Sequence, residues 1–411
     1  MALEIRPCRE DELPAMHRIA AIVFGNYQGR DTPNPGGMAP EWTLCAFEDG
    51  ELATSYAAFP FQMRLNGAKA PAAGVTFVGT LPWYRRRGHL RQIIEKDLRR
   101  RYEERREPIA ILLASIAGIY QRYGYAVVSE RYRYSIDPRW IAFAPSLPRA
   151  TGTWREVSSD DLPLLERIYR QFSSPRNGLL HRAPVMWERM VMAAGGSLSP
   201  APEFGPAVLC VYEERGEPQA YVAWSAREFQ QAPDGAGPGQ RVLVRDRAWL
   251  TPSAYRACWE FFANFDLARR IVIEQAPVDD PAFDVLLNPR ELNAWKGDWL
   301  LGRVIDVERA LPLRPYGATG RVVFEVQDEL CPWNAGRWAL DAGPEGAAVS
   351  RASDLPQLSM HISALAQLLF GHLSPTRAVR AGRAEAAPDA PLELWDAMWR
   401  TDYAPFCPDQ F

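Results

Sequence analysis

The sequence predicts an α/β (α+β) chain in which one strand-rich unit occurs twice and a smaller mixed α/β domain follows. Three observations carry this. The order strand, strand, strand, helix, strand appears before residue 148 and again after it. Pro138, Pro145 and Pro148 punctuate the junction. Beyond residue 300 the pattern changes to short strands followed by helices. The expected domains are 1–148, 149–300 and 301–411, and 411 residues at 47% hydrophobic content are enough to fill that many cores.

In the first unit, residues 43–65 read as a strand pair: TLCAF, the turn Glu48-Asp49-Gly50, then LATSYAAFPFQMRL. After Asn66-Gly67, the run GVTFVGTLP is extended as far as Pro82. A helix follows, because Leu90, Ile93, Ile94, Leu98 and Tyr102 recur on one face. IAILLAS is a short apolar run suited to a buried strand. GIYQRYGY is a short helix closed by Gly124, and Tyr132, Tyr134 and Ile136 then alternate with polar residues as in a strand.

The second unit repeats this order. AVLCVYEERGEPQAYVAWSAREF is a strand pair turning at Gly216, and the Gly/Pro-rich loop APDGAGPGQ leads to the strand RVLVRDRAWL. Then come the helical SAYRACWEFFANFD and the strand IVIEQAP. In the last third, GRVIDVERAL, GRVVFEVQDEL, GRWALDAG and GAAVSR are strand-like. SMHISALAQLLFGHL and LELWDAMWR are helical, and residues 381–391 between them form a loop.

Composition excludes several functions. The formal net charge is −3, which speaks against general nucleic-acid affinity. No stretch approaches eighteen uninterrupted apolar residues and the N-terminus has no apolar h-region, so neither a membrane span nor secretion is expected. The six cysteines (Cys8, Cys45, Cys210, Cys258, Cys331 and Cys407) form no C-x-x-C pair. A cytoplasmic protein without a disulfide framework is therefore expected. No H-E-x-x-H or G-x-S-x-G is present, and no metal site is expected. His361 and His372 sit on an apolar stretch and read as packing residues.

One segment stands out against the acidic balance. LPWYRRRGHLRQIIEKDL puts Arg85, Arg86 and Arg87 against Gly88 where a helix begins. A helix start is already electropositive, because its first N–H groups lack acceptors and the macrodipole is positive there. The arrangement calls for an anion. A strand, a tight loop and a helix N-terminus make a general cradle for a pyrophosphate, Gly88 allows close backbone approach, and arginines add charge-assisted hydrogen bonds. The loop is neither a Walker sequence nor a dinucleotide fingerprint. In the second unit the corresponding stretch is Thr251-Pro252-Ser253-Ala254-Tyr255-Arg256, with no glycine, so only the first unit is competent. Gly79, inside a strand, marks a bulge or a close approach, and a backbone N–H freed beside it would polarise a carbonyl.

V-T-F-V-G-T-L-P-W-Y-R-R-R-G-H-L resembles motif A of the GNAT acetyltransferase superfamily. Together with ILLASIAGIYQRYGY it resembles the Eis (enhanced intracellular survival) family in particular. The resemblance implies tandem GNAT folds, active then degenerate, followed by a sterol-carrier-protein-like α/β domain. It implies acetyl-CoA as cosubstrate, with Val78, Gly79 and Thr80 along the acetyl and pantetheine arm. Arg86, Arg87, Gly88, His89, Leu90 and Arg91 would lie around the pyrophosphate, and Ser115 and Ile116 on the cofactor's far side. Ile116-Ala117 stand where relatives often carry Glu-Gly.

Two functions are weighed: an enzyme moving acetyl from acetyl-CoA to a primary amine by direct attack on the thioester, and a non-catalytic acyl-CoA or lipid carrier using the C-terminal domain's cavity. Tyr120 favours the enzyme. By resemblance it is the proton donor to the departing thiolate, and a phenol with a pKa near 10 is protonated at neutral pH. Tyr123 and Tyr125 are expected to pack. The base is harder to find, since His89 is claimed by the phosphate loop and His17 is distant in sequence. By resemblance the ending PFCPDQF brings the α-carboxylate of Phe411 back into the first unit. The family further suggests an aminoglycoside, polyamine or lysine-type acceptor and a homo-oligomer (a hexamer).

Overall fold

The computed structural model describes residues 2–27, 29, 37–193, 204–230 and 238–411. Residues 232–237 of the Gly/Pro-rich loop lie outside these. The first unit contains β1 (Leu3–Arg6), α1 (Leu13–Phe24), β2 (Cys45–Glu48), β3 (Glu51–Leu65), β4 (Ala68–Thr80), α2 (His89–Glu103), β5 (Ile109–Leu113), α3 (Ala117–Gln121) and β6 (Ala126–Ile136). The second contains β7 (Thr153–Val157), α4 (Leu162–Ser173), the single turn α5 (Pro184–Met186), β8 (Val208–Glu214), β9 (Glu217–Phe229), β10 (Gly239–Trp249), α6 (Pro252–Ala263), β11 (Ala268–Ala276), α7 (Ala282–Val285) and β12 (Trp295–Val304).

These strands form one twelve-stranded sheet in the order β1-β2-β3-β4-β5-β12-β6-β11-β10-β9-β8-β7. Read inward from either edge, the two halves match: five strands of one copy, then the sixth strand of the other. β12 pairs antiparallel with β5, and β6 pairs antiparallel with β11. The two units have exchanged their last strands, so neither closes its sheet alone. The duplication expected from the element order is therefore a strand-exchanged pair. The expected boundary at 300/301 falls inside β12.

The third domain has α8 (Val307–Ala310) and a five-stranded sheet of β13 (Gly320–Gln327), β14 (Gly336–Gly343), β15 (Gly346–Arg351), β16 (Leu358–His361) and β17 (Ala384–Ala386). Helices α9 (Ile362–Leu369), α10 (Pro375–Arg380) and α11 (Leu392–Trp399) complete it. The segment after α9 packs tightly on the exchanged strands: a Cβ on Gly302 of β12 would lie 3.0 Å from Phe370 and 2.9 Å from Val128 of β6.

Two expectations here are corrected. GRVIDVERAL is only partly strand, because Asp306 accepts the Arg309 N–H at 3.2 Å and starts α8. The 381–391 loop holds β17, whose pairing with β16 has no local signal.

Helix α2 is moored firmly, which matters for the loop at its start. Ile93, Ile94 and Leu98 are buried as expected. Tyr102 is instead exposed, stacked on Trp333 of the third domain at 4.5 Å. Inside the face, Asp97 accepts hydrogen bonds from Tyr56 Oη (2.9 Å) and Arg101 Nε (2.8 Å).

Candidate active site

Strands β4 and β5 run parallel but are paired only over Ala72–Val75 with Ile109–Leu112. Beyond that point β4 stays on β3 while β5 ends at Leu113, so the sheet opens into a gap. On the β4 side the register with β3 slips between Ser55 and Ala57, leaving Phe77 and Val78 opposite Tyr56 alone. This is a bulge, and Phe77 takes φ 52°, a strained conformation for a bulky residue. Ser55 Oγ pins it, donating to the Phe77 carbonyl at 2.7 Å. The bulge is thus at Phe77–Val78 rather than at Gly79. Gly79 is small for a different reason: a Cβ there would sit 3.3 Å from Val23 of α1.

After β4, a 3-10 turn (Pro82–Tyr84) leads into the arginine loop. Arg86 has φ 65° and Gly88 φ 82°, two left-handed residues flanking Arg87. Such alternation turns successive N–H groups to one side as an anion nest. Gly88 caps α2 without a side-chain bond. Among the described residues the N–H groups of Arg86, Gly88, His89 and Leu90 meet no backbone acceptor. The Arg86 side chain is exposed and has no partner among the described residues, and Arg91 pairs with Glu95 at 2.7 Å.

Two of the expected cofactor residues have side-chain partners within the protein. Arg87 ion-pairs with buried Glu48 and donates to the Trp83 carbonyl at 2.9 Å. His89 is buried, 3.0 Å from Glu48 and 3.2 Å from Thr54 Oγ1. Both side chains brace the loop through Glu48, while the His89 N–H meets no backbone acceptor. Glu48 was read only as part of a turn, and no local signal marks it as the anchor.

Ser115 and Ile116 are exposed between β5 and α3, across the gap from Val78 and Thr80. Tyr120 on α3 packs against the cluster containing Ala73 and Val75. Burial, helped by Tyr123, pushes its phenol up to about 12, so it holds its proton at neutral pH. Tyr123 and Tyr125 are buried, as packing residues are.

The opposite face of β4 carries Ala72 and Gly74, since side chains alternate. There the ring of Phe411 stands 5.0 Å from that of Phe61, and a Cβ on Gly74 would lie 3.3 Å from it. The chain's last residue therefore lies in the first unit, where the β4–β5 pairing ends. Trp42, Phe59 and Phe61 continue the aromatic wall, with centroid spacings of 5.7 and 5.6 Å. His17, remote in sequence, is close in space: its ring meets Phe77 edge-on at 5.0 Å.

The comparisons agree with this architecture. Residues 4–128 and 178–304 each match an Acetyltransferase (GNAT) domain family, and residues 307–408 match the Sterol carrier protein domain family. An uncharacterised N-acetyltransferase of Streptomyces avermitilis is 33% identical over 88% of both chains. The N-acetyltransferase Eis of Mycobacterium tuberculosis is 25% identical over 96% of both. Eis1 of Mycobacterium abscessus superposes with a TM-score of 0.82 at 25% identity, over 99% of this chain and 100% of that one.

The chain belongs to the Eis family of GNAT N-acetyltransferases.

Its two GNAT units and sterol-carrier-like domain are those of the family, and the chain is a GNAT-type acetyltransferase. A GCN5-related N-acetyltransferase of Anabaena variabilis shares the fold over the full length of both chains, with a TM-score of 0.85 at 21% identity. Within the family frame, the second match ends at residue 304, which assigns all of β12 to the second unit although it pairs within the first.

Proposed function

We propose that this Eis-family enzyme transfers acetyl from acetyl-CoA to a primary amine by direct attack, with Tyr120 as acid and the α-carboxylate of Phe411 as base. One observation carries the reading. The Tyr120 side chain packs against the cluster that holds Ala73 and Val75 of β4, and the Phe411 ring lies by Gly74 on the strand's other face, near where β4 and β5 part. A thioester lying in that gap would have the amine on one side and the departing sulfur on the other.

The residues fit acetyl-CoA. Unpartnered N–H groups at the start of α2 and the exposed Arg86 suit a pyrophosphate. Val78, Gly79 and Thr80 on one wall and Ser115 and Ile116 on the other suit an extended arm. When bound, the cosubstrate supplies the activated acetyl carbonyl. The carboxylate of Phe411, whose ring packs against Phe61, would take a proton from the incoming ammonium, directly or through a water. Desolvation there would raise its pKa from the usual 3.3–3.7 toward that of a working base. Tyr120 would give its proton to the sulfur. The row Trp42, Phe59, Phe61 suits a cationic acceptor, because aromatic faces attract ammonium groups, and an aminoglycoside, polyamine or lysine-type amine fits that character.

Release of CoA thiol over an amine panel that includes multi-amine antibiotics tests the activity. A short Gly/Ser extension after Phe411 tests the base, because it keeps the ring and displaces the carboxylate. The extended protein is expected to lose about 10²-fold or more in kcat while still binding acetyl-CoA. Full turnover in that protein would end the carboxylate assignment.

A further inference from the structure

The second unit has a gap of its own. β10 and β11 are paired in parallel only as far as Val244 with Ile273, just as β4 and β5 part after Val75 and Leu112. In the first unit this is the opening assigned above to the cosubstrate. In the second, the chain's own C-terminal tail runs along it. Phe406, Pro408, Asp409 and Gln410 share small cavities with Val244, Arg245, Asp246 and Gln275.

The tail is held there by directional bonds. The Phe406 N–H donates to the Asn177 carbonyl at 2.9 Å, Ser129 Oγ to the Pro405 carbonyl at 2.8 Å, and Trp299 Nε1 to the Cys407 carbonyl at 2.7 Å. At the centre is a buried charge cluster. Arg182 Nε donates to Asp409 Oδ1 at 2.7 Å, and its Nη1 to Asp246 Oδ2 at 2.5 Å. Tyr221 Oη also donates to Asp246, at 2.6 Å. The guanidinium lies 4.0 Å from the face of Tyr169. Arg182 is 5% exposed and Asp409 2%.

Burying one arginine between two carboxylates is a poor way to gain stability, because desolvation offsets most of the attraction. It is a good way to fix a position, since a planar guanidinium constrains both distance and direction. Asp409 stands two residues before Phe411, so its place sets where the terminus ends. Gly178 makes room for the passing tail: a Cβ there would meet the Phe406 carbonyl oxygen at 2.7 Å.

We propose that the gap of the second unit is a docking slot for the chain's own C-terminal tail, and that Arg182, through Asp409, is the positioning residue that holds the Phe411 carboxylate at the first unit's gap. This rests on the assignment of that carboxylate as base. It gives the degenerate unit a part in catalysis: it binds the tail where its sibling binds the cosubstrate.

The test uses the full-length enzyme and the enzyme lacking Phe411, each with and without Asp409→Asn. An Arg182→Lys and Arg182→Met pair serves as a second arm. Turnover, acetyl-CoA affinity by calorimetry and Tm are measured for each protein. In the full chain Asp409→Asn is expected to lower kcat about 10²-fold, the cost of a small misplacement of a reacting group, with acetyl-CoA affinity unchanged. Arg182→Lys should retain more kcat than Arg182→Met. In the truncated enzyme Asp409→Asn should change the residual turnover no further, because the group it positions is already gone. Full kcat in Asp409→Asn beside an inactive truncation overturns the positioning role and leaves the base in place. A further loss caused by Asp409→Asn in the truncated enzyme also overturns it, in favour of a scaffold role. A fully active truncation removes the base itself, and the positioning role with it.

Discussion

The two GNAT units differ most where strand passes into helix. In the first, β4 ends at Thr80 and α2 begins only after Gly88, leaving room for the turn and the arginine loop. Among the described residues the N–H groups of Arg86, Gly88, His89 and Leu90 meet no backbone acceptor there, and two residues are held at positive φ. In the second, β10 ends at Trp249 and Thr251 caps α6 at once, its Oγ1 accepting the Ala254 N–H at 3.1 Å. Ser253 donates to Glu214 at 2.7 Å. The first unit keeps its helix start unsatisfied, as a site for an anion requires. The second closes it, as stability requires. The two copies of one fold thus differ in whether the helix start is satisfied, and the function proposed above assigns the chemistry to the copy that leaves it open.

The sharpest test of that contrast is at the proposed proton donor. Tyr120→Phe keeps the ring and removes the proton, and kcat is expected to fall about 10²-fold with little change in acetyl-CoA affinity. Because burial raises this phenol to about 12, its protonated form persists above pH 10. The wild-type enzyme should therefore show no alkaline loss of kcat from this group below about pH 10. A Tyr120→Phe enzyme as fast as wild type would move the role to another residue, with Tyr123 tested next.

A smaller effect is expected at the loop. Arg86→Ala should weaken acetyl-CoA binding by about 1.5–3 kcal/mol, the worth of a hydrogen bond to a charged group, as read by calorimetry. Arg86 is a cleaner probe than Arg87, whose removal also strips the cationic partner from buried Glu48. Unchanged affinity in Arg86→Ala would break the comparison at its centre.

The smallest effect belongs to the second unit. Thr251→Ala removes the cap and should cost about 1 kcal/mol of stability, seen by chemical denaturation, while kcat and acetyl-CoA affinity stay as they were. A change in acetyl-CoA affinity there would mean that the second helix start takes part in binding.

Much of this was legible in the residues themselves. The alternation of Tyr132, Tyr134 and Ile136 with polar residues and the helical spacing of Leu90, Ile93, Ile94 and Leu98 determine local structure, because a side chain's period decides which face it buries. The arginine loop was visible because its charge opposes a helix dipole within a few residues. Other features had no such local mark. The exchange of β6 and β12 depends on which edge each strand meets, and a strand's pattern is the same for either partner. Glu48 under Arg87 and His89, His17 beside Phe77, and Arg182 on Asp409 join positions far apart in the chain. Their attraction acts only once the sheet has brought them together. The place of Phe411 depends on the same closure: its sequence supplies a ring, and the packing of three domains decides where it ends.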